Sequence, residues 1–190
     1  MILPIRAFGD PILRKVGKDI DKNYPDLQEL IDNMFETMNS ANGIGLAAPQ
    51  IGLDIRLFVI DVTPLADDED YEDIKEELKS FKKVFINAKI LEESGEEWKF
   101  NEGCLSIPDV REDVKRKSTI LIEYYDENFV KHTETFSDIR ARVIQHEYDH
   151  IEGTLFTDHL SALKKKLVKG KLTKISQGDV SINYKMRFPK

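Results

Sequence analysis

Residues 137–153 read SDIRARVIQHEYDHIEG. Within this stretch, His146 and His150 stand four residues apart, and Glu147 follows the first of them. On a helix, positions i and i+4 share one face, so both imidazoles can reach one cation. Glu147 sits one residue round, close enough to handle the proton of a water at that cation. Ile139, Val143, His146 and His150 fall within about 60° of one another on a 3.6-residue wheel. The two histidines therefore lie on the apolar, core-facing stripe. Ser137 reads as the N-cap and Gly153 as the stop. The pattern predicts a buried, metal-binding helix in the centre of the fold.

Two ligands do not hold a catalytic metal; three are usual, with one position left for water. The longer zinc-protease pattern H-E-x-x-H-x-x-G-x-x-H is followed through Gly153, but its last position is Phe156, which cannot ligate. No Glu follows Glu152, so a downstream glutamate ligand is excluded as well. The remaining candidates are His132, His159 and the only cysteine, Cys104. Either histidine can be read as an ordinary exposed residue. Cys104 can be read as a small buried hydrophobe. Its setting, Glu102-Gly103-Cys104-Leu105-Ser106-Ile107-Pro108, describes a backbone that turns sharply and then runs extended. A thiolate presented there, opposite the helix, would complete a Cys-His-His site.

A third segment, Gly43-Ile44-Gly45-Leu46-Ala47-Ala48-Pro49-Gln50-Ile51-Gly52, contains G-x-G-x-x-A. A dinucleotide fingerprint needs a strand before it and a helix after it. Here the order is reversed: Leu27, Leu30, Ile31, Met34, Phe35 and Met38 recur at helical spacing before it, and a strand from Ile55 to Ile60 follows. Pro49 would also interrupt a helix. The segment reads as a loop whose backbone lets substrate approach closely, with Gln50 as an amide donor.

Taken together, Gly43–Gly52, Glu102–Pro108 and Gln145–His150 resemble the three signature motifs of peptide deformylases, complete and in the family's order. Gly9-Asp10-Pro11-Ile12-Leu13-Arg14 is similar to that family's N-terminus, and the resemblance covers roughly residues 1–165. It implies Cys104, His146 and His150 as metal ligands and Glu147 as general base and acid. It implies Gln50 and the backbone N–H of Leu105 as donors to the oxyanion, and Gly45 as a backbone contact to substrate. The implied activity is removal of the formyl group from the N-terminal formyl-methionine of new polypeptides, with release of formate. The implied cofactor is one divalent metal ion, Fe2+, for which Zn2+, Ni2+ or Co2+ can substitute. Ile44, Ile139 and Val143, apolar and near the metal, are expected to line a pocket for the methionine side chain. A general zinc endopeptidase is disfavoured because the third ligand of known zincins is absent. A structural metal module is disfavoured because a closed site usually has four protein ligands and only three can be assembled.

The rest of the chain fits one catalytic domain of 190 residues, long enough for a single core. Residues 1–10 carry Arg6 and Asp10 without a long apolar run, so no secretory signal is expected. No stretch is long and apolar enough for a membrane span. One cysteine excludes an internal disulfide framework, and a cytoplasmic setting keeps its thiol available. A helix near Asp26–Asn39 is expected, with strands near Ile55–Ile60, Val84–Ile90, Ser118–Tyr125 and Phe129–Thr135. Asp126-Glu127-Asn128 reads as the turn between the last two strands. The order is α+β: antiparallel or mixed sheets packed around the metal-binding helix, deformylase-like.

Charge is uneven along the chain, which has a net charge of −7. Asp67–Glu77 holds eight acids in eleven residues and reads as a solvated insertion, helical through Leu78. Residues 160–190 hold nine Lys or Arg against one acid. A solvated tail is the ordinary reading of such a segment; weak attraction to ribosomal RNA or another polyanion is the functional one. A short helix should carry Leu160, Leu163 and Leu167. Gly170, Gly178 and the alternation from Val180 to Phe188 then favour a terminal strand over the long basic helix that ends many bacterial deformylases. No compact nucleic-acid motif appears, so no specific DNA partner is expected.

Overall fold

In the computed structural model, which describes residues 1–189, the chain opens with a two-residue strand β1 (Ile5–Arg6). Helix α1 (Leu27–Ser40) follows, because Ile31, Met34 and Met38 recur on one face and are buried there. Next come β2 (Gly45–Ala47), a 3-10 turn over Ala48–Ile51 that contains Pro49, and β3 (Leu57–Asp61). After the short helix α2 (Lys75–Lys79), two long strands, β4 (Lys82–Cys104) and β5 (Ile107–Tyr125), form a hairpin closed at its tip by the Cys104–Ile107 pair. Strand β6 (Lys131–Ser137), helix α3 (Asp138–Ile151), helix α4 (Ala162–Ser176) and strand β7 (Met186–Arg187) complete the order.

Strands β2 to β6 form one antiparallel sheet in sequence order, and β1 pairs with β7 in parallel. Successive strand side chains point to opposite faces. In β3, Phe58 and Ile60 enter one apolar cluster with Ile139, Val143 and Ile144 of α3. Leu57 and Val59 enter another with Ile31, Met34 and Met38 of α1. All five β3 residues are buried, so the sheet lies between the two helices at this point. Helix α3 is therefore held inside the fold, and the α+β architecture follows.

Several elements differ from their expected form. The expected strand Val84–Ile90 is only the start of β4, whose path to Cys104 is punctuated by register shifts against β5. Ser137 occupies the N-cap position of α3 but its hydroxyl makes no cap bond. Asp138 takes over: its carboxylate accepts from the Arg140 amide at 3.0 Å and from the Arg140 guanidinium. The acidic insertion is not simply solvated. Its acids face water, but Leu78 is fully buried and Tyr71 and Ile74 pack against the same cluster.

The largest correction concerns the C-terminus. Helix α4 runs 15 residues straight through Gly170, and the terminal strand is two residues long. Gly170 faces open space, with nothing within 4 Å of where a Cβ would stand. A glycine there costs only about 1 kcal/mol, which burial of Val168 and Ile175 on the same helix offsets. Ser161 caps the start by accepting from the Lys164 amide, and Gly178, at φ 78°, ends the helix in the left-handed region.

Candidate metal centre and active site

The donor atoms of Cys104, His146 and His150 all lie within 4.8 Å of one another. Donors about 2.0–2.3 Å from a tetrahedral cation stand about 3.6 Å apart, so the trio is close to the required spacing. Each candidate ligand arrives from a different local cause. His146 and His150 lie on the buried face of α3, and Cys104 is the last residue of β4, brought over by the hairpin turn. The Cys104 Sγ is 3.3 Å from Nε2 of His150. Nδ1 of His146 is 3.0 Å from Oε2 of Glu102, which commits that nitrogen and leaves Nε2 for a cation. The set is chemically suitable for a divalent transition metal: one soft sulfur, two imidazoles, and no fourth protein ligand. Among the described residues no other His, Cys, Asp or Glu trio converges in this way.

The other histidines considered as ligands lie elsewhere. His132 pairs with Asp126 at 2.8 Å, and His159 with Asp149 at 2.7 Å.

Electrostatics follow from burial and from this crowding. Burial alone would raise the Cys104 thiol, but the His150 and His146 rings beside it bring it down to about 5. It is therefore poised to ligate as the thiolate. Burial pushes the Glu147 carboxyl up to about 7, against the opposing pull of the two imidazoles. Its Oε2 is buried and has no hydrogen-bond partner. A carboxylate with a free oxygen and a pKa near neutrality is suited to passing protons in both directions.

Glu102 anchors a buried ionic cluster behind the candidate ligands. Arg116 donates to both of its oxygens, at 2.7 and 3.0 Å, and Arg142 donates to Oε1 at 2.9 Å. Burial would raise the Glu102 carboxyl, but His146 and Arg116 hold it far below the usual carboxylate range. Arg116 continues to Asp149 at 2.8 Å. The sequence motifs assign no role to Glu102, Arg116 or Arg142. Glu102 lay inside a quoted motif, and Arg142 stands one helical turn before His146, which is the only local signal of the cluster.

A cavity of about 680 Å³ opens over the centre. Ile44, Gly45, Gln50, Cys104, Leu105, Val143, His146 and Glu147 all line it. The Gln50 side chain is fixed within it: Oε1 accepts from the Ala47 amide at 2.8 Å, and Nε2 donates to Ser106 Oγ at 3.3 Å and approaches Cys104 Sγ at 3.5 Å. Gly45 has a second constraint. A Cβ there would lie 2.4 Å from Oε1 of Glu147, so only glycine leaves room for the carboxylate. Ile139 is the exception among the expected pocket residues. It does not line the cavity and is 1% exposed in the apolar cluster between α3 and the sheet. Ile139 precedes Val143 by one turn, and there the helix packs against the sheet.

The model of the family described as polypeptide deformylase matches residues 2–166.

The chain belongs to the polypeptide deformylase family.

A peptide deformylase of Christiangramia forsetii is 64% identical over 190 residues, covering 100% of this chain and 97% of that relative. One of Flavobacterium johnsoniae is 62% identical over 189 residues, covering 99% of this chain and 96% of the other. Among solved structures, a peptide deformylase from Legionella pneumophila superposes with a TM-score of 0.79 at 36% identity, covering 94% of this chain and 98% of that one. A Plasmodium falciparum peptide deformylase in complex with an inhibitor gives 0.76 at 34% identity, covering 91% and 99%. The activity that goes with membership is removal of the N-terminal formyl group from nascent formyl-Met peptides by a metal-dependent hydrolase. Among the described residues no helix is long and apolar enough to cross a membrane.

Proposed function

We propose that this deformylase works through one divalent cation, Fe2+, held by Cys104, His146 and His150, with Glu147 as the proton carrier. The observation that carries this reading is the convergence of the three donors next to a buried glutamate oxygen that has no other partner. A divalent cation held by these three residues would supply Lewis-acid chemistry, bringing the pKa of a nearby water down toward neutrality and favouring charge on the formyl oxygen. Glu147 takes the proton of the attacking water as oxygen bonds to the formyl carbon. It then returns that proton to the amide nitrogen as the C–N bond breaks, so formate and a free amine leave. Gln50 Nε2 and the Leu105 N–H receive the negative charge that develops on the carbonyl oxygen; one such donor is worth about 3–4 kcal/mol. Gly45 offers its backbone to the peptide, and Ile44 and Val143 contact the methionine side chain. Iron is favoured over zinc by the family resemblance, and a mixed sulfur and imidazole donor set admits Zn2+, Ni2+ or Co2+ in its place.

The test is formate release from a formyl-Met peptide, with the unformylated peptide as control. Glu147→Ala should retain metal and fold while turnover falls by about 10²–10⁴-fold, the usual contribution of a general acid or base. Near-native rates from the metal-loaded variant would remove Glu147 from the mechanism.

A single catalytic domain acting in the cytoplasm, beside the ribosome, is the setting we infer. The support is the basic face of α4, where Lys165, Lys166 and Lys169 are exposed and have no acidic partner among the described residues, whereas Lys164 is tied to Glu112 at 2.8 Å. Contacts to RNA phosphates release counterions, so association should weaken steeply with salt. Neutralising Lys165, Lys166 and Lys169 should reduce ribosome binding without changing hydrolysis of short peptides. Salt-independent binding would refute the electrostatic account.

A further inference from the structure

Beyond α4 the chain folds back toward the centre. Strand β7 pairs with β1, and the Ile5 amide donates to the Lys185 carbonyl at 2.9 Å. This pairing carries the tail to the cavity, where Ser181, Ile182, Asn183 and Tyr184 form part of the lining. The family model's match ends at residue 166, so none of these residues belongs to the matched region. One of them makes a bond that spans 79 positions: the Tyr184 hydroxyl donates to the Leu105 carbonyl at 2.8 Å.

That carbonyl belongs to the two-residue turn that follows Cys104. The turn is gripped on its other side as well, since the Phe8 amide, just past β1, donates to the Ser106 carbonyl at 2.8 Å. Gln50 holds the Ser106 hydroxyl at 3.3 Å. Among the described residues these are three hydrogen-bond tethers on the turn, and the one from Tyr184 acts on the Leu105 backbone itself. Ser106 is fully buried and Leu105 packs against the apolar cluster of α1; the bond to the Leu105 carbonyl adds a direct restraint on the backbone at the residue whose N–H is read as an oxyanion donor.

We propose that Tyr184 is a positioning residue for deformylation: its hydroxyl, bonded to the Leu105 carbonyl, holds the Cys104–Leu105 turn so that the Leu105 N–H stays aimed at the oxyanion. The β1–β7 pair is the brace that keeps Tyr184 in place. This inference rests on the reading of the Leu105 N–H and Gln50 as oxyanion donors.

The experiment is Tyr184→Phe in the full-length, metal-loaded enzyme, which removes one hydroxyl and keeps the ring. Because the oxyanion forms only in the transition state, kcat should fall by about fivefold, the rate equivalent of one ordinary hydrogen bond, while KM stays within twofold. Amide hydrogen exchange should quicken at Leu105 and Ser106 and stay unchanged in β3 and α3. A raised KM with unchanged kcat would make Tyr184 a substrate contact and overturn the proposal. Unchanged kcat and exchange would overturn it too, as would a broad loss of protection with a large fall in Tm, which marks a merely structural role. Gln50→Ala measured alongside separates the two levels. If it lowers kcat and Tyr184→Phe does not, the positioning role fails and the oxyanion reading stands; if neither does, the oxyanion reading itself fails.

Discussion

Replacing Glu102 by Gln should weaken both the metal site and the fold, and the structure sets the scale. The Glu102 carboxylate receives two bonds from Arg116, one from Arg142 and one from His146. It is 4% exposed, and the side chains of Arg116 and Arg142 are also buried. An amide of the same shape has one acceptor oxygen and an NH₂ that must face a donor. Whichever way it is turned, Arg142 loses its one carboxylate partner among the described residues, and Arg116 is left with Asp149 alone. Breaking a buried pair in this way costs about 3–5 kcal/mol. At about 2–4 °C per kcal/mol for a chain of this length, Tm should fall by roughly 6–20 °C. The His146 ring also loses the carboxylate that fixes its tautomer, so metal affinity should drop by about 10–100-fold. Calorimetry of the metal-loaded variant and a competition titration with a chelator measure the two effects separately. Native metal affinity in Glu102→Gln would refute the argument that Glu102 orients His146, and an unchanged Tm would refute the ionic-cluster argument.

Acid should act through the same carboxylate. Its folded-state pKa is depressed, so its stabilisation is complete above the unfolded carboxylate range of about 4.3 and is lost as pH falls below it. The melting temperature of the native chain should therefore fall more steeply between about pH 5 and pH 2 than that of Glu102→Gln; parallel curves would contradict this. Gly45→Ala should displace Glu147, since the added methyl would lie 2.4 Å from its Oε1. A fall in kcat with about 1–3 kcal/mol of lost stability is expected from overpacking, and native turnover by the variant would refute the contact. The iron form should lose activity in air and keep it without oxygen, while a nickel form persists, because a thiolate beside Fe2+ exposes two oxidisable centres. Equal decay of the two forms would argue against oxidation at this site.

Local periodicity made α3 legible, because spacing along one helix is a property of consecutive residues. His146, His150 and Glu147 were readable for that reason, and so was α1 from its stripe of Leu, Ile and Met. Cys104 is legible as a candidate third ligand from its turn and the family resemblance, but its 3.3 Å approach to His150 depends on a hairpin whose two strands span residues 82–125. The tail departs from its sequence pattern because Gly170 and the Val180–Phe188 alternation are local signals, and the burial of Val168 and Ile175 that sustains α4 is not. Ile139 was placed in the pocket on helical spacing alone; the sheet packed against that face makes it core. Sequence by itself determined which side chains could bind a metal and move protons, since those are properties of residue type and short spacing. Only the tertiary structure decided what surrounds them. The Glu102–Arg116–Arg142 cluster, the space that Gly45 leaves for Glu147, and the return of Tyr184 to Leu105 join residues 14 to 102 positions apart. Such partners meet only when burial of the apolar clusters has already brought the strands and helices together.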